Sequence, residues 1–233
     1  MRRTTKYGSA VIEYTLSWSA RRTLSISVHA EGVSVVAPAG VAAEAVDARV
    51  RKRARWILRQ QRRFEEFKPK TPARNYVGGE THRYLGRQYR LKIGPGEEDR
   101  VCLRSGRLVV ESREPGNSST TETLVRRWMR QRAGDVLRER YDAAAPIAVR
   151  LGIPQPGLMI RSMRKRWGSH TAGGRIILND QLIAASRDCI DYVIVHEICH
   201  VVEPNHSPRF FRLRRRFLPD WQQRKETLER STL

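Results

Sequence analysis

From Asp191 to Val202 the chain reads Asp-Tyr-Val-Ile-Val-His-Glu-Ile-Cys-His-Val-Val, and no glycine or proline interrupts it before Pro204. Such an apolar run predicts a helix buried over most of its surface. That helix must carry His196, Glu197 and His200 inside with it, and ionisable groups are costly to bury unless each finds a partner. His196 and His200 are four residues apart, so they share one helix face with Cβ atoms about 5–6 Å apart. Two imidazoles placed that way reach a single Zn²⁺ at about 2.0–2.1 Å.

A zinc ion that does chemistry needs a third protein ligand and one free position. Pro204 cannot continue the helix, so the chain is expected to turn and bring His206 back as that ligand. The overall spacing equals that of metzincins, although Glu203 stands where those enzymes have glycine, so the turn is expected to form through Pro204 and Asn205. Glu197 then has the position of a general base, activating a metal-bound water without ligating the metal. Three other readings stay open: core or salt-bridged histidines with no metal, a purely structural zinc on the same three histidines, and Cys199 facing the site instead of serving as a small buried apolar residue.

The first forty residues alternate as strands do and read as a small antiparallel meander. From Val41 to about Phe67 the period becomes helical: Val46, Val50, Ala54, Ile57 and Phe64 form the apolar stripe, and arginines fill most of the remainder. Residues 84–91, 101–103 and 108–110 read as further strands. Ser119 and Glu122 have capping-box spacing, which predicts a helix from there to about Ala145. Arg161 to Asn179 reads as a strand, a turn at Gly173-Gly174 and a second strand. Beside a metal helix such an edge hairpin is suited to pair with an extended substrate, and its plainer reading is that Trp167 and Ile177 pack the core. Ser207-Pro208 is a helix start. No internal repeat is visible, and the domain boundary is expected near residue 115, giving segments 1–115 and 116–233.

Lysine and arginine number 45 against 24 aspartate and glutamate, a formal net charge of +21. A field of that sign attracts polyanions. Arg49, Arg53, Arg59 and Arg63 on the first helix, and Arg212 and Arg215 on the last basic one, are the candidate contacts for non-specific nucleic acid, with Trp56, Trp128 and Trp167 available to stack on bases. The plainer reading is an arginine-rich solvated surface. Three widely spaced cysteines make no disulfide framework. With no signal-like or membrane-spanning run, the expectation is a soluble cytoplasmic protein.

The block Arg166-Trp167-Gly168-Ser169, then Ile177-Leu178-Asn179 with Leu182, then Asp191 to His200, then Asn205-His206-Ser207 with Phe210-Phe211, resembles the YgjP-like zinc metallopeptidases, relatives of the SprT and Spartan-type proteases. The likeness extends more weakly to Gly79–Gly86 and the amino-terminal strands and helix. It implies zinc on His196, His200 and His206, Glu197 as general base, and a protein or peptide substrate. Arg166, Trp167, Gly168, Ser169 and Asn179 are the candidate substrate contacts. His170 and Phe211 depart from the pattern, which commonly has Cys and Trp there.

The expected architecture is therefore α+β, a zincin-like metallopeptidase domain preceded by a strand-rich region with a long basic helix. Expected activity is metal-dependent peptide-bond hydrolysis, acting on proteins near nucleic acid. Its rivals are a basic nucleic-acid-binding protein with a structural or silent zinc site, and a metal hydrolase of a non-peptide bond.

Overall fold

A computed structural model describes residues 1–29, 32–164, 166–171 and 173–232 except 67–73, and side chains other than those of 63–66, 231 and 232. It divides into two compact units, Met1–Thr71 and Pro72–Thr232. Both are mixed α+β. Among the described residues no helix is long and apolar enough to cross a membrane.

In the first unit, strands β1 (Arg2–Tyr7), β2 (Ala10–Ser19), β3 (Ser25–His29) and β4 (Gly32–Pro38) form one sheet in the order β1-β2-β4-β3. This is not the meander expected. β2 and β4 run parallel, and the chain passes from β2 to the far edge strand β3 before returning antiparallel to it as β4. Alternation puts Ile12, Tyr14, Leu16, Val33, Val35 and Ala37 on one buried face. Against them lie Val46, Val50, Ala54 and Ile57. The single long helix expected over 41–67 is two, α1 (Ala43–Lys52) and α2 (Ala54–Glu66), separated at Arg53, whose backbone leaves the helical region at φ −99°, ψ 4°. Phe67 and the side chains of Arg63 and Phe64 lie outside the described residues. Asp47 on α1 binds Arg3 of β1 at 2.6 Å and accepts from the Tyr14 hydroxyl of β2, which ties helix to sheet.

The second unit begins with another four-stranded sheet, β5 (Thr81–Tyr84), β6 (Arg87–Pro95), β7 (Arg100–Arg104) and β8 (Arg107–Ser112), in the order β5-β6-β8-β7. Its topology repeats that of the first unit, with β6 and β8 parallel, although the sequence shows no repeat. The strand expected over 84–91 is broken by a turn, because Leu85 and Gly86 have positive φ. Gly86 is required there twice over: its φ is +79°, and an added Cβ would meet Ser186 Cβ at 2.9 Å. Leu85 and Gly86 N–H groups donate to the carbonyls of Ile183 and Ala184. Tyr84 and Trp128 pack with ring centroids 5.0 Å apart and planes tilted by 47°, within a core shared with residues far beyond 115. That shared core is why the dividing line falls at 71/72 and not at the expected 115/116.

Helix α3 (Ser118–Ala143) is capped by the Asn117 side chain, which accepts from the Ser119 and Thr120 N–H groups; the expected cap, Ser119, is the second residue of the helix. After α4 (Ala145–Leu151) come β9 (Gly157–Arg161), β10 (Gly168–His170) and β11 (Arg175–Asn179), ordered β10-β11-β9, so β10 is an edge strand. A 3-10 turn, Asp180–Ala184, leads into α5 (Arg187–Val202), then α6 (Pro208–Phe217) and α7 (Trp221–Thr232). Ile190, Ile194 and Ile198 of α5 are fully buried in the central core. Arg140 of α3 grips Asp191 of α5, donating from Nε and Nη2 to the two carboxylate oxygens at 2.8 and 2.5 Å, fixing how the two helices lie together.

Candidate active site

Ser186 caps α5 by accepting from Cys189 N–H, and the helix ends at Glu203. Ser207 caps α6 with Pro208 at its first position, as the sequence predicts. Between the two helices the chain reverses, and His206 returns to the α5 face that carries His196 and His200. The Nε2 atoms of His200 and His206 each lie 3.2 Å from His196 Nε2. A tetrahedral ion holding ring nitrogens at about 2.0–2.1 Å would separate them by about 3.3 Å, so the spacing fits one small cation. Among the described residues these three are the one group of three or more His, Cys, Asp or Glu side chains close enough to share an ion.

Phe210 is fully buried and touches all three rings: it stacks on His200 at 4.4 Å and presents its edge to His196 at 5.0 Å and His206 at 4.8 Å. The imidazoles are thus held by packing before any ion arrives. His200 Nδ1 donates to the Glu203 carbonyl at 3.1 Å, which leaves its Nε2 lone pair directed at the cluster. Burial first, then the neighbouring His200 ring and Arg214, hold His196 down at about 3. His200 and His206 are lowered as well, again mainly by burial. Burial thus favours the neutral form of all three rings.

One neighbour opposes this arrangement. Arg214 of α6 is 2% exposed, lies 3.5 Å over the Trp221 ring, and donates from Nη1 to His196 Nδ1 at 3.1 Å. A neutral imidazole that accepts at Nδ1 has its proton on Nε2, the atom that faces the other histidines. The arginine's Nε and Nη2 have no hydrogen-bond partner among the described residues. Sequence reading missed Arg214, because an arginine amid Arg212, Arg215 and Arg216 looks like one more solvated charge.

Glu197 is 7% exposed and lies one residue round the helix from His196. Burial pushes its carboxyl up to about 7, while the charge of Arg166 and a hydrogen bond from the His170 backbone N–H pull the other way. Gly168 makes this fit possible, since nothing larger than hydrogen separates its Cα from the glutamate. Edge strand β10 therefore runs directly past Glu197.

Of the other expected substrate contacts, Arg166 is exposed and Ser169 half-buried, while Trp167 packs against the central core. Asn179 is 2% exposed and its amide is occupied by the chain itself. Its Nδ2 donates to the carbonyls of Met163 and Arg166, both at 2.8 Å, and its Oδ1 accepts from Met163 N–H and Gln181 N–H. Cys199 is buried, with burial raising its thiol to about 12, as suits a small apolar residue. Of the arginines expected at nucleic acid, Arg49, Arg53 and Arg59 are exposed in the first unit and Arg212 and Arg215 on α6 in the second; Trp128, like Trp167, is packed into a core. The Arg63 side chain lies outside the described residues.

Residues 22–231 match the family model described as YgjP-like, metallopeptidase domain. The chain belongs to the YgjP-like metallopeptidase family. This membership accounts for the zincin-like α+β arrangement of the second unit and makes the chain a peptidase that uses a metal ion. Among solved structures, the metallopeptidase zymogen abylysin of Pyrococcus abyssi is 22% identical, with 40% of this chain and 90% of that one covered at a TM-score of 0.35. Jannalysin of Methanocaldococcus jannaschii, also a metallopeptidase zymogen, is 20% identical over 42% of this chain and 85% of that one, with a TM-score of 0.32. No curated protein matches.

Proposed function

We propose that this YgjP-like protein hydrolyses peptide bonds with a zinc ion held by His196, His200 and His206, and with Glu197 as general base. The convergence of three Nε2 atoms beside a buried carboxylate carries this reading. When bound, zinc supplies Lewis acidity, lowering the pKa of water towards about 7 and polarising a carbonyl. Glu197 takes a proton from the attacking water as its oxygen bonds to the carbonyl carbon. It then gives that proton to the departing amine as the C–N bond breaks. Edge strand β10, one of whose N–H groups is taken by Glu197, has its outer side open among the described residues to an extended peptide, which would lie across Glu197 by strand addition. The charge of Arg166 favours the ionised glutamate, the form that accepts a proton, against the larger effect of burial.

The test is bound metal and cleavage of casein, or self-cleavage, in wild type and Glu197→Gln. Zinc retained with cleavage lost is the expected result. Cleavage retained in the variant removes Glu197 from its role, and a metal-dependent fold that cleaves ester or phosphate model substrates but no peptide favours the non-peptide hydrolase.

A further inference from the structure

The first unit contains a cavity of about 980 Å³ that shares no residue with the histidine cluster. It follows the seam between the helix pair and edge strand β3, where Leu24 and Ile26 are apolar lining. Arg49, Lys52, Arg53 and Trp56 reach it because they recur at helical spacing, forming a stripe beside the core stripe of Val46, Val50, Ala54 and Ile57. Arg22 joins them from the loop before β3.

The chemistry of this lining is one-sided. Among the described residues four cations and no acidic residue line it, and none of the four makes an ion pair with a described residue. The unit's nearby acids Glu44 and Asp47 are engaged with Arg3 instead. Trp56 leaves 39% of its surface in solvent, unlike Trp128 and Trp167, which are packed into cores. A charged groove with a partly exposed aromatic ring in its lining is the combination that holds a flexible polyanion carrying flat rings.

We infer that this cavity binds single-stranded nucleic acid, with Arg22, Arg49, Lys52 and Arg53 on the phosphates and a base stacked on Trp56. Four cations exceed what one nucleotide's phosphate employs, and they are spread over α1, the break at Arg53 and the loop before β3, with Trp56 on α2, which suits a strand passing through. A duplex keeps its base faces stacked inside and offers Trp56 nothing flat. Sulfated polysaccharide would satisfy the cations and leave the indole without a ring to stack on. Arg59, although exposed, is not part of the cavity lining.

The measurement is fluorescence anisotropy of a labelled oligothymidylate of about 12 nucleotides with the full chain, compared with a duplex of equal length, a heparin oligosaccharide and thymidine monophosphate. The single strand should bind most tightly and lose about fifty-fold in affinity between about 50 and 200 mM salt, the response of four released counterions. Trp56→Leu should weaken binding about ten-fold while Trp56→Phe, which keeps a π-face, retains most of it. Arg49→Ser with Lys52→Ser should lower the salt slope by about 1.4. Equal or tighter binding of duplex, heparin or mononucleotide overturns the proposal, as does unchanged affinity in Trp56→Leu or an unchanged slope in the double variant.

Discussion

Gly168 lies so close to Glu197 that a Cβ added to it would stand 2.7 Å from both Cγ and Oε1 of the glutamate, and 2.9 Å from Val193 Cγ1. A methyl group there must displace the carboxylate, since the backbone of β10 is held by pairing with β11. Displacement of a catalytic group by about 1 Å costs on the order of 100-fold. Gly168→Ala is therefore expected to lower kcat by that order while bound zinc stays stoichiometric. Steady-state cleavage beside metal analysis checks it, and a fully active alanine variant would show that Glu197 has room to spare.

Glu197 also predicts how the metal-free protein responds to pH. Its carboxyl is raised from 4.5 to about 7 in the fold. Between those values the unfolded chain has already released the proton that the folded one keeps, so stability falls as pH rises through this window. Glu197→Gln resembles the protonated form and removes the effect. In chelator, the variant should match wild type near pH 4 and exceed it by about 3 kcal/mol near pH 8. His196, whose folded-state pKa is depressed to about 3, contributes the opposite slope below its usual 6.5, and it does so in both proteins. Urea denaturation across pH reads the difference between them, and a constant difference would mean the carboxyl is not raised.

Arg214 is expected to weaken metal binding. It places a buried positive charge beside His196 and occupies Nδ1, which a metal-bound neutral ring would need for its proton. Arg214→Met keeps most of the volume against Trp221 and removes both obstacles. Zinc affinity should rise by about ten-fold or more, given that unit like charges about 7 Å apart, on opposite sides of one imidazole, repel by about 2.4 kcal/mol at an effective dielectric of 20. Competition with a chromophoric chelator measures it, and weaker zinc binding in the variant would make Arg214 a support for His196.

Asn179 tests whether the loop before β10 depends on one amide. Its Nδ2 donates to two carbonyls, so Asn179→Asp sets a carboxylate oxygen against both Met163 and Arg166. A loss of about 2–5 kcal/mol follows from that unpaired, repelled group in a buried position. Denaturant unfolding gives the number. Should stability hold while only KM rises, Asn179 contacts substrate instead.

Much of the site was legible because its signals are local. His196 and His200 are neighbours through helix geometry alone, and Ser207 with Pro208 announces a new helix. Most strands of the two four-stranded sheets were visible as alternation, although β1 and the separate β5 were not, and neither was the order of any. Period 2 tells which face of β2 or β6 is buried and says nothing about which strand lies beside it, so the parallel β2–β4 and β6–β8 pairs were missed, along with the repeated topology. The domain boundary was misplaced for a related reason: Tyr84 gives no hint in sequence that it packs on Trp128. Pro69 and Pro72 were the compositional signal nearest the actual division.

By itself the sequence determined that a buried helix carries His196, Glu197 and His200, that the chain breaks at Pro204, and that arginine dominates the surface. These follow from side-chain polarity and backbone preference over a few residues. Only the tertiary structure decided that His206 Nε2 comes within 3.2 Å of His196, that Phe210 clamps all three rings, and that one arginine of many, Arg214, points inward. It also decided that Arg22 joins Arg49, Lys52 and Arg53 around Trp56. Each of those is a distance between residues on different elements, set by how cores fill space, and no local pattern encodes it.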